Sequence, residues 1–192
     1  MVKKLFYNRI SANQLTLLAL ITGLLSSLSI FLSGILTWVL GLIITAIILM
    51  GISFFLDVLD GSLARIEGPT VLGGILDIFC DRTVEVFIII SIISTDPVSL
   101  MWPGIFSLGA IVLCITLFLL IGGAVKAEEL ENTKKVIYYR HSLMERSETL
   151  IFLFFMTILI PFRNIILWIF FILVFITSLL RLRDVFRLFK IK

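Results

Sequence analysis

Charge is what this chain has least of. Asp, Glu, Lys and Arg make up only 15% of its 192 residues, against 60% hydrophobic, a balance that excludes an ordinary soluble domain. Polar intervals are scarce as well. The longest runs from Lys126 to about Glu148, too short for a separate soluble domain. The N-terminus opens on basic amphipathic sequence rather than a short apolar core, which argues against a cleavable signal peptide. Cysteine is confined to Cys80 and Cys114, read as packing residues with nothing to suggest a disulfide. The single histidine, His141, lies in a polar loop among Tyr139, Arg140 and Ser142, and without a second histidine it reads as solvated rather than catalytic. No internal repeat or low-complexity tract is visible.

What the chain does have is a series of apolar runs of about 20 residues, each able to cross roughly 30 Å of hydrocarbon. The expected fold is all-α: a polytopic membrane protein with six transmembrane helices near 13–33, 36–62, 73–94, 103–125, 147–161 and 165–182. Gly34 and the stretch from Asp96-Pro97 to Trp102-Pro103 read as outer turns. Residues 1–12 form an interfacial helix in this reading: Val2, Leu5, Phe6 and Ile10 share one face, with Lys3, Lys4 and Arg9 between them. The bundle over 13–182 and a basic tail over 183–192 complete a single domain, 1–192. With the N-terminus in the cytoplasm, nearly every Lys and Arg falls on that side. Arg163 is the exception, in the short turn between the fifth and sixth spans. The positive-inside rule therefore puts both termini, the 126–148 loop and the acidic cluster described next on the cytoplasmic side.

Acids placed in apolar sequence need a reason, because a carboxylate near hydrocarbon costs several kcal/mol unless compensated. Four aspartates cluster here: Asp57 and Asp60 at the end of the second span, Asp77 and Asp81 early in the third. On helices each pair lies on one face, at i,i+3 and i,i+4. Two facing pairs cannot all stay ionised without cations between them, and one or two hard divalent metals are the simplest partners. Gly61 and Ala64 leave a hollow beside them. Arg65 can reach a phosphate with paired donors. Carboxylates, divalent ions, small residues and an arginine together suit a pyrophosphate. Glu85 extends the Asp77–Asp81 stripe by a turn and is expected to face the interior, paired or protonated.

Asp57-x-x-Asp60-Gly61-x-x-Ala64-Arg65-x7-Gly73-x-x-x-Asp77-x-x-x-Asp81 resembles the signature of the CDP-alcohol phosphotransferase (phosphatidyltransferase) family at every fixed position. The resemblance implies a phospholipid-biosynthetic enzyme that moves a phosphatidyl group from CDP-diacylglycerol, or CDP-archaeol, to an alcohol and releases CMP. It implies that Asp57, Asp60, Asp77 and Asp81 bind two Mg²⁺ ions, with Mn²⁺ as an alternative, and that Asp81 also serves as general base. Asp60, Gly61, Ala64, Arg65 and Gly73 would bind the CDP-lipid. Asn13 and Thr16 resemble the family's Pro-Asn-x-x-Thr element, with Ala12 in place of the proline. A homodimer is also implied.

A second resemblance concerns the acceptor. Lys126-Ala127-Glu128 and Glu145-Arg146-Ser147-Glu148 are similar to elements of phosphatidylinositol-phosphate and archaetidylinositol-phosphate synthases, although Thr149 stands where a second arginine is usual. It implies that Lys126, Arg146 and Arg181 bind a phosphate on the acceptor, such as inositol phosphate. The basic residues equally obey the positive-inside rule without any such role. Expected partners are the CDP-lipid, a polar alcohol and the bilayer, with no nucleic acid. The alternative from another class is an ion or solute transporter, since intramembrane acids also mark ion pathways. That alternative leaves Gly61, Ala64, Arg65 and Gly73 unexplained.

Overall fold

A chain this apolar must satisfy its backbone hydrogen bonds internally to sit in hydrocarbon, and helix is the local way to do so. The computed structural model describes residues 11–68, 70–131 and 146–189, and all regular structure among them is helical. In chain order the elements are α1 (Ala12–Ser33), α2 (Val39–Glu67), α3 (Val71–Thr95), α4 (Pro97–Glu131), α5 (Arg146–Ile158), a 3₁₀ turn at Ile160–Phe162, and α6 (Arg163–Phe189). Of the interfacial helix expected over 1–12, Ser11 and Ala12 instead cap and open α1; its first ten residues, the loop carrying Lys134, Lys135 and His141, and the last residues of the basic tail lie outside the described residues.

Among the described residues, four helices are long and apolar enough to cross a membrane: Ala12–Ser33, Val39–Glu67, Pro97–Gly123 and Ile160–Phe186. With them, the protein reads as an integral membrane protein. The other two expected spans do not meet that measure among the described residues, for different reasons. Helix α3 has 25 residues, yet its apolar run is broken by Asp77, Asp81, Arg82 and Glu85. Helix α5 covers 13 of the described residues, fewer than the roughly 20 that a perpendicular crossing takes.

Helix boundaries follow local chemistry. Ser11 and Gln14 form a reciprocal capping box at the start of α1. Helix α2 does not stop near residue 62 but continues through Ala64 and Arg65 to Glu67. It ends at Gly68, whose φ of 99° suits glycine and whose N–H bonds back to the Ala64 carbonyl. Thr70 then caps α3 by accepting from the Gly73 N–H at 3.0 Å. The expected outer turn reaching Trp102-Pro103 is a correction: α4 already begins at Pro97 and runs through both residues. Proline at the first helical position sacrifices no hydrogen bond. Asp96 accepts from both the backbone and the hydroxyl of Ser99, and these bonds hold its carboxyl below the usual carboxylate range.

One compact unit holds the chain up to Met101 together with Leu153–Arg163. Small residues let its helices meet closely, the usual solution where lipid removes the hydrophobic drive for packing. A Cβ on Gly23 would stand 2.5 Å from a Val84 methyl and 3.0 Å from the Ser53 hydroxyl. Buried serines supply the polar contacts. Ser26 donates to the Ala46 carbonyl at 2.8 Å, Ser53 to the Ala19 carbonyl at 2.7 Å, and Ser27 meets both the Phe87 carbonyl and the Ser91 hydroxyl. These bonds tie α1 to α2 and to α3. Arg163, the outlier of the charge pattern, is 4% exposed. It donates to the Met156 and Thr157 carbonyls at the end of α5 and to the Thr95 hydroxyl at the end of α3. A helix end leaves carbonyls unpaired, and Arg163 satisfies two of them.

The second unit, Trp102–Phe152 with Asn164–Lys192, packs through aromatic rings. Phe106 contacts Trp102, Trp168 and Phe171, and Phe152 contacts Phe170. Ser107, fully buried, bonds the Pro103 and Leu167 carbonyls.

Candidate active site

The turn at Gly68 brings the start of α3 back beside the end of α2, and the aspartates meet there. One carboxylate oxygen from each of Asp57, Asp77 and Asp81 lies within 4.8 Å of the others, and all three side chains are half-buried. The i,i+4 spacing puts Asp77 and Asp81 on one face of α3, and Asp57 comes to that face from α2. Asp60, also expected in this set, stands apart from the trio. It is 3% exposed, interacts with the Thr16 hydroxyl, and lies within electrostatic reach of Asp77 and Asp81. Its Oδ2 is buried with no hydrogen bond among the described residues. A buried acceptor left unmade costs about 1–3 kcal/mol, so it needs an explanation.

Converging carboxylates beside an orphaned carboxylate oxygen fit a hard divalent cation, which takes oxygen ligands by preference. Asp57, Asp77 and Asp81 are the residues that could hold one together, and Asp60 lies within electrostatic reach of Asp77 and Asp81 with one oxygen unsatisfied.

The small residues differ in purpose. A Cβ on Gly61 would meet nothing within 4 Å, so packing gives no reason for glycine there. Gly73 is tightly enclosed: its Cβ would stand 2.9 Å from the Thr70 hydroxyl and 3.2 Å from Asn13 Oδ1. Asn13 and Thr16, read from the sequence as a donor-binding pair, are thus brought to Gly73 and Asp60 respectively. Ala64 is half-buried, and Arg65 is exposed two residues before the end of α2.

The residues read as acceptor ligands lie elsewhere on the chain. Lys126 belongs to α4 and Arg146 opens α5, with side chains outside what the structure describes. Arg181 of α6 donates to the Cys114 carbonyl at 3.0 Å and sits over the Phe118 ring. Cys80 is buried, Cys114 half-buried, and both are free thiols.

Two further features stand outside the sequence-based expectations. Gly68 and Thr70 set the turn on which the site hangs, and the run Glu67-Gly68-Pro69-Thr70 carries the signal: a helix-ending glycine, a proline and a capping threonine. Arg82 forms an ion pair with Glu85, Nη1 to Oε2 at 2.5 Å. The i,i+3 spacing makes that pair readable. It also bears out the expectation that Glu85 faces the interior with a partner, at 2% exposure.

A family model described as CDP-alcohol phosphatidyltransferase matches residues 9–179. The chain belongs to the CDP-alcohol phosphatidyltransferase family. It is therefore a transferase of phospholipid biosynthesis that passes a phosphatidyl group from a CDP-linked donor to an acceptor alcohol. No curated protein matches the chain to add a nearer relative. The matched stretch contains the whole aspartate motif and the helices that carry it.

Proposed function

We propose that the carboxylates at the α2–α3 turn are the catalytic centre of this phosphatidyltransferase. Asp57, Asp60, Asp77 and Asp81 would hold two divalent cations, Mg²⁺ or Mn²⁺, against the pyrophosphate of CDP-diacylglycerol or CDP-archaeol. Bound there, the cations would neutralise phosphoryl oxygens and make CMP a better leaving group. Asp81 takes the proton from the acceptor hydroxyl as the hydroxyl oxygen bonds to the lipid phosphorus and the bond to CMP breaks. Arg65 binds a phosphate of the donor with paired guanidinium bonds. Gly61 and Ala64 leave room for the nucleotide, while Gly73, Asn13 and Thr16 shape its edge.

The observation that carries this reading is the meeting of Asp57, Asp77 and Asp81 beside the unsatisfied oxygen of Asp60. An acid trio held together by packing alone would repel itself and weaken the fold.

The acceptor in this reading is a phosphorylated polyol such as inositol phosphate, its phosphate bound by Lys126, Arg146 and Arg181. The same reading takes 1–192 as one membrane domain of six spans, with the centre and both termini facing the cytoplasm and the enzyme a homodimer. The charge asymmetry of the sequence supports the sidedness.

Purified protein should release CMP from CDP-diacylglycerol when given Mg²⁺ and the right member of an acceptor panel. Asp81→Asn should abolish that release. Turnover with inositol phosphate alone would support the acceptor assignment, and turnover with serine or glycerol phosphate instead would remove it.

A further inference from the structure

Arg82 follows Asp81 directly in the chain and is a cation inside a group of acids. Its guanidinium acts electrostatically on Asp77 and Asp81, yet its ion pair is with Glu85. Glu85 is 2% exposed, while the Arg82 side chain keeps 30% of its surface. A buried carboxylate therefore anchors a guanidinium that keeps part of its own surface exposed. Glu85 belongs neither to the trio nor to the family signature quoted above. Without it, Asp81 and Asp77, which Arg82 already influences, would be left to attract the guanidinium, and a metal would need the same oxygens.

We propose that Glu85 is a positioning residue for the metal centre: it engages the Arg82 guanidinium and so keeps the Asp77 and Asp81 oxygens available to a divalent cation. The inference rests on the metal-centre reading of these aspartates and extends it. Arg82 competes with metal as a built-in cation, and Glu85 decides the competition. Groups of this kind, which act through the ligands, typically change metal affinity by roughly 10–100-fold when altered.

The test is Mn²⁺ binding to the purified full-length protein, followed by the loss of the free-ion electron paramagnetic resonance signal, with thermal unfolding measured alongside. Glu85→Gln should weaken Mn²⁺ binding by about tenfold or more. Adding Arg82→Gln in the same chain should restore most of it, because the competing cation is gone. A merely structural Glu85 would lower thermal stability in both variants without this loss and recovery. Wild-type affinity in Glu85→Gln, or a double variant as weak as the single one, would overturn the proposal. Should Glu85→Gln fail to fold, Glu85→Asp, alone and with Arg82→Gln, gives the same comparison with the charge retained but drawn back. Weakening relieved by the second substitution is expected there too, and unchanged binding would overturn it. No Mn²⁺ binding by the unaltered protein would instead remove the metal-centre reading, and this inference with it.

Discussion

At one end of α3, Asp77 and Asp81 face Asp57 of α2; at the other, Thr95 receives the guanidinium of Arg163. Both ends put charge into a predominantly apolar helix assembly, about 20 Å apart along the helix at 1.5 Å per residue. The two are treated differently. Arg163 spreads its donors over two helix-end carbonyls and the Thr95 hydroxyl, which itself donates to the Ile92 carbonyl. The acids are crowded against one another, and beside them a buried oxygen of Asp60 has no hydrogen bond. A buried charge with its donors satisfied stabilises a fold, whereas crowded acids beside an orphan acceptor indicate a ligand. That contrast sets the charge with a structural task apart from those proposed to be catalytic.

The sharpest way to break the comparison is to neutralise one charge at each end. Asp81→Asn should lower CMP release by roughly 10²–10⁴-fold, the usual worth of a positioned acid or base. It should leave the melting temperature of the metal-free protein unchanged or higher, because a like-charge repulsion is relieved. Equal loss of stability and activity would put Asp81 in the same class as Arg163. Chelation should act in parallel, abolishing turnover reversibly, with Mg²⁺ restoring it and monovalent salt failing to do so.

Arg163→Met should do the opposite. It leaves the Met156 and Thr157 carbonyls without their donor, at a cost of about 1–3 kcal/mol for each buried group left unpaired. Thermal unfolding should show that loss, while the Mg²⁺ concentration for half-maximal activity in the folded fraction stays the same. A shift in metal requirement would mean that the two ends of α3 are coupled.

The smallest effects come from two glycines, one inside α2 and one at its end. Gly68→Ala puts a side chain at φ 99°, and the left-handed backbone costs roughly 1–2 kcal/mol for an ordinary residue. Gly61→Ala meets nothing within 4 Å and should raise helix stability by roughly 0.5–1 kcal/mol. It should nevertheless weaken CDP-lipid binding, visible as a higher KM for the donor with little change in melting temperature. If Gly61→Ala left the KM unchanged, the open space beside it would have no role in holding the nucleotide.

How much of the fold and the site is legible in the amino-acid sequence depends on the range of the interactions. The aspartate pairs rest on i,i+3 and i,i+4 spacing, so their shared faces are local facts of helix geometry. The apolar runs likewise make an all-helical membrane protein legible. The start of α4 at Pro97 is ambiguous in sequence because an Asp-Pro pair signals a turn and a helix start with equal force; the Ser99 bonds to Asp96 decide between them. The burial of Asp60 and its contact with Thr16, 44 residues earlier in the chain, come from packing rather than local spacing. Arg163 reads as a stray charge in sequence because its partners, Thr95 and the α5 carbonyls, are brought to it only by packing. Gly68 is different: its signal is local, held in the four residues from Glu67 to Thr70.

Equilibrium binding of CDP-diacylglycerol to the purified protein, titrated with Mg²⁺, tests the central claim without needing the acceptor. A metal-clamped donor site should bind this lipid only with Mg²⁺ and lose that binding in Asp57→Asn and Asp77→Asn, both variants remaining folded. Donor binding that is indifferent to Mg²⁺ and unchanged by those substitutions would contradict that claim.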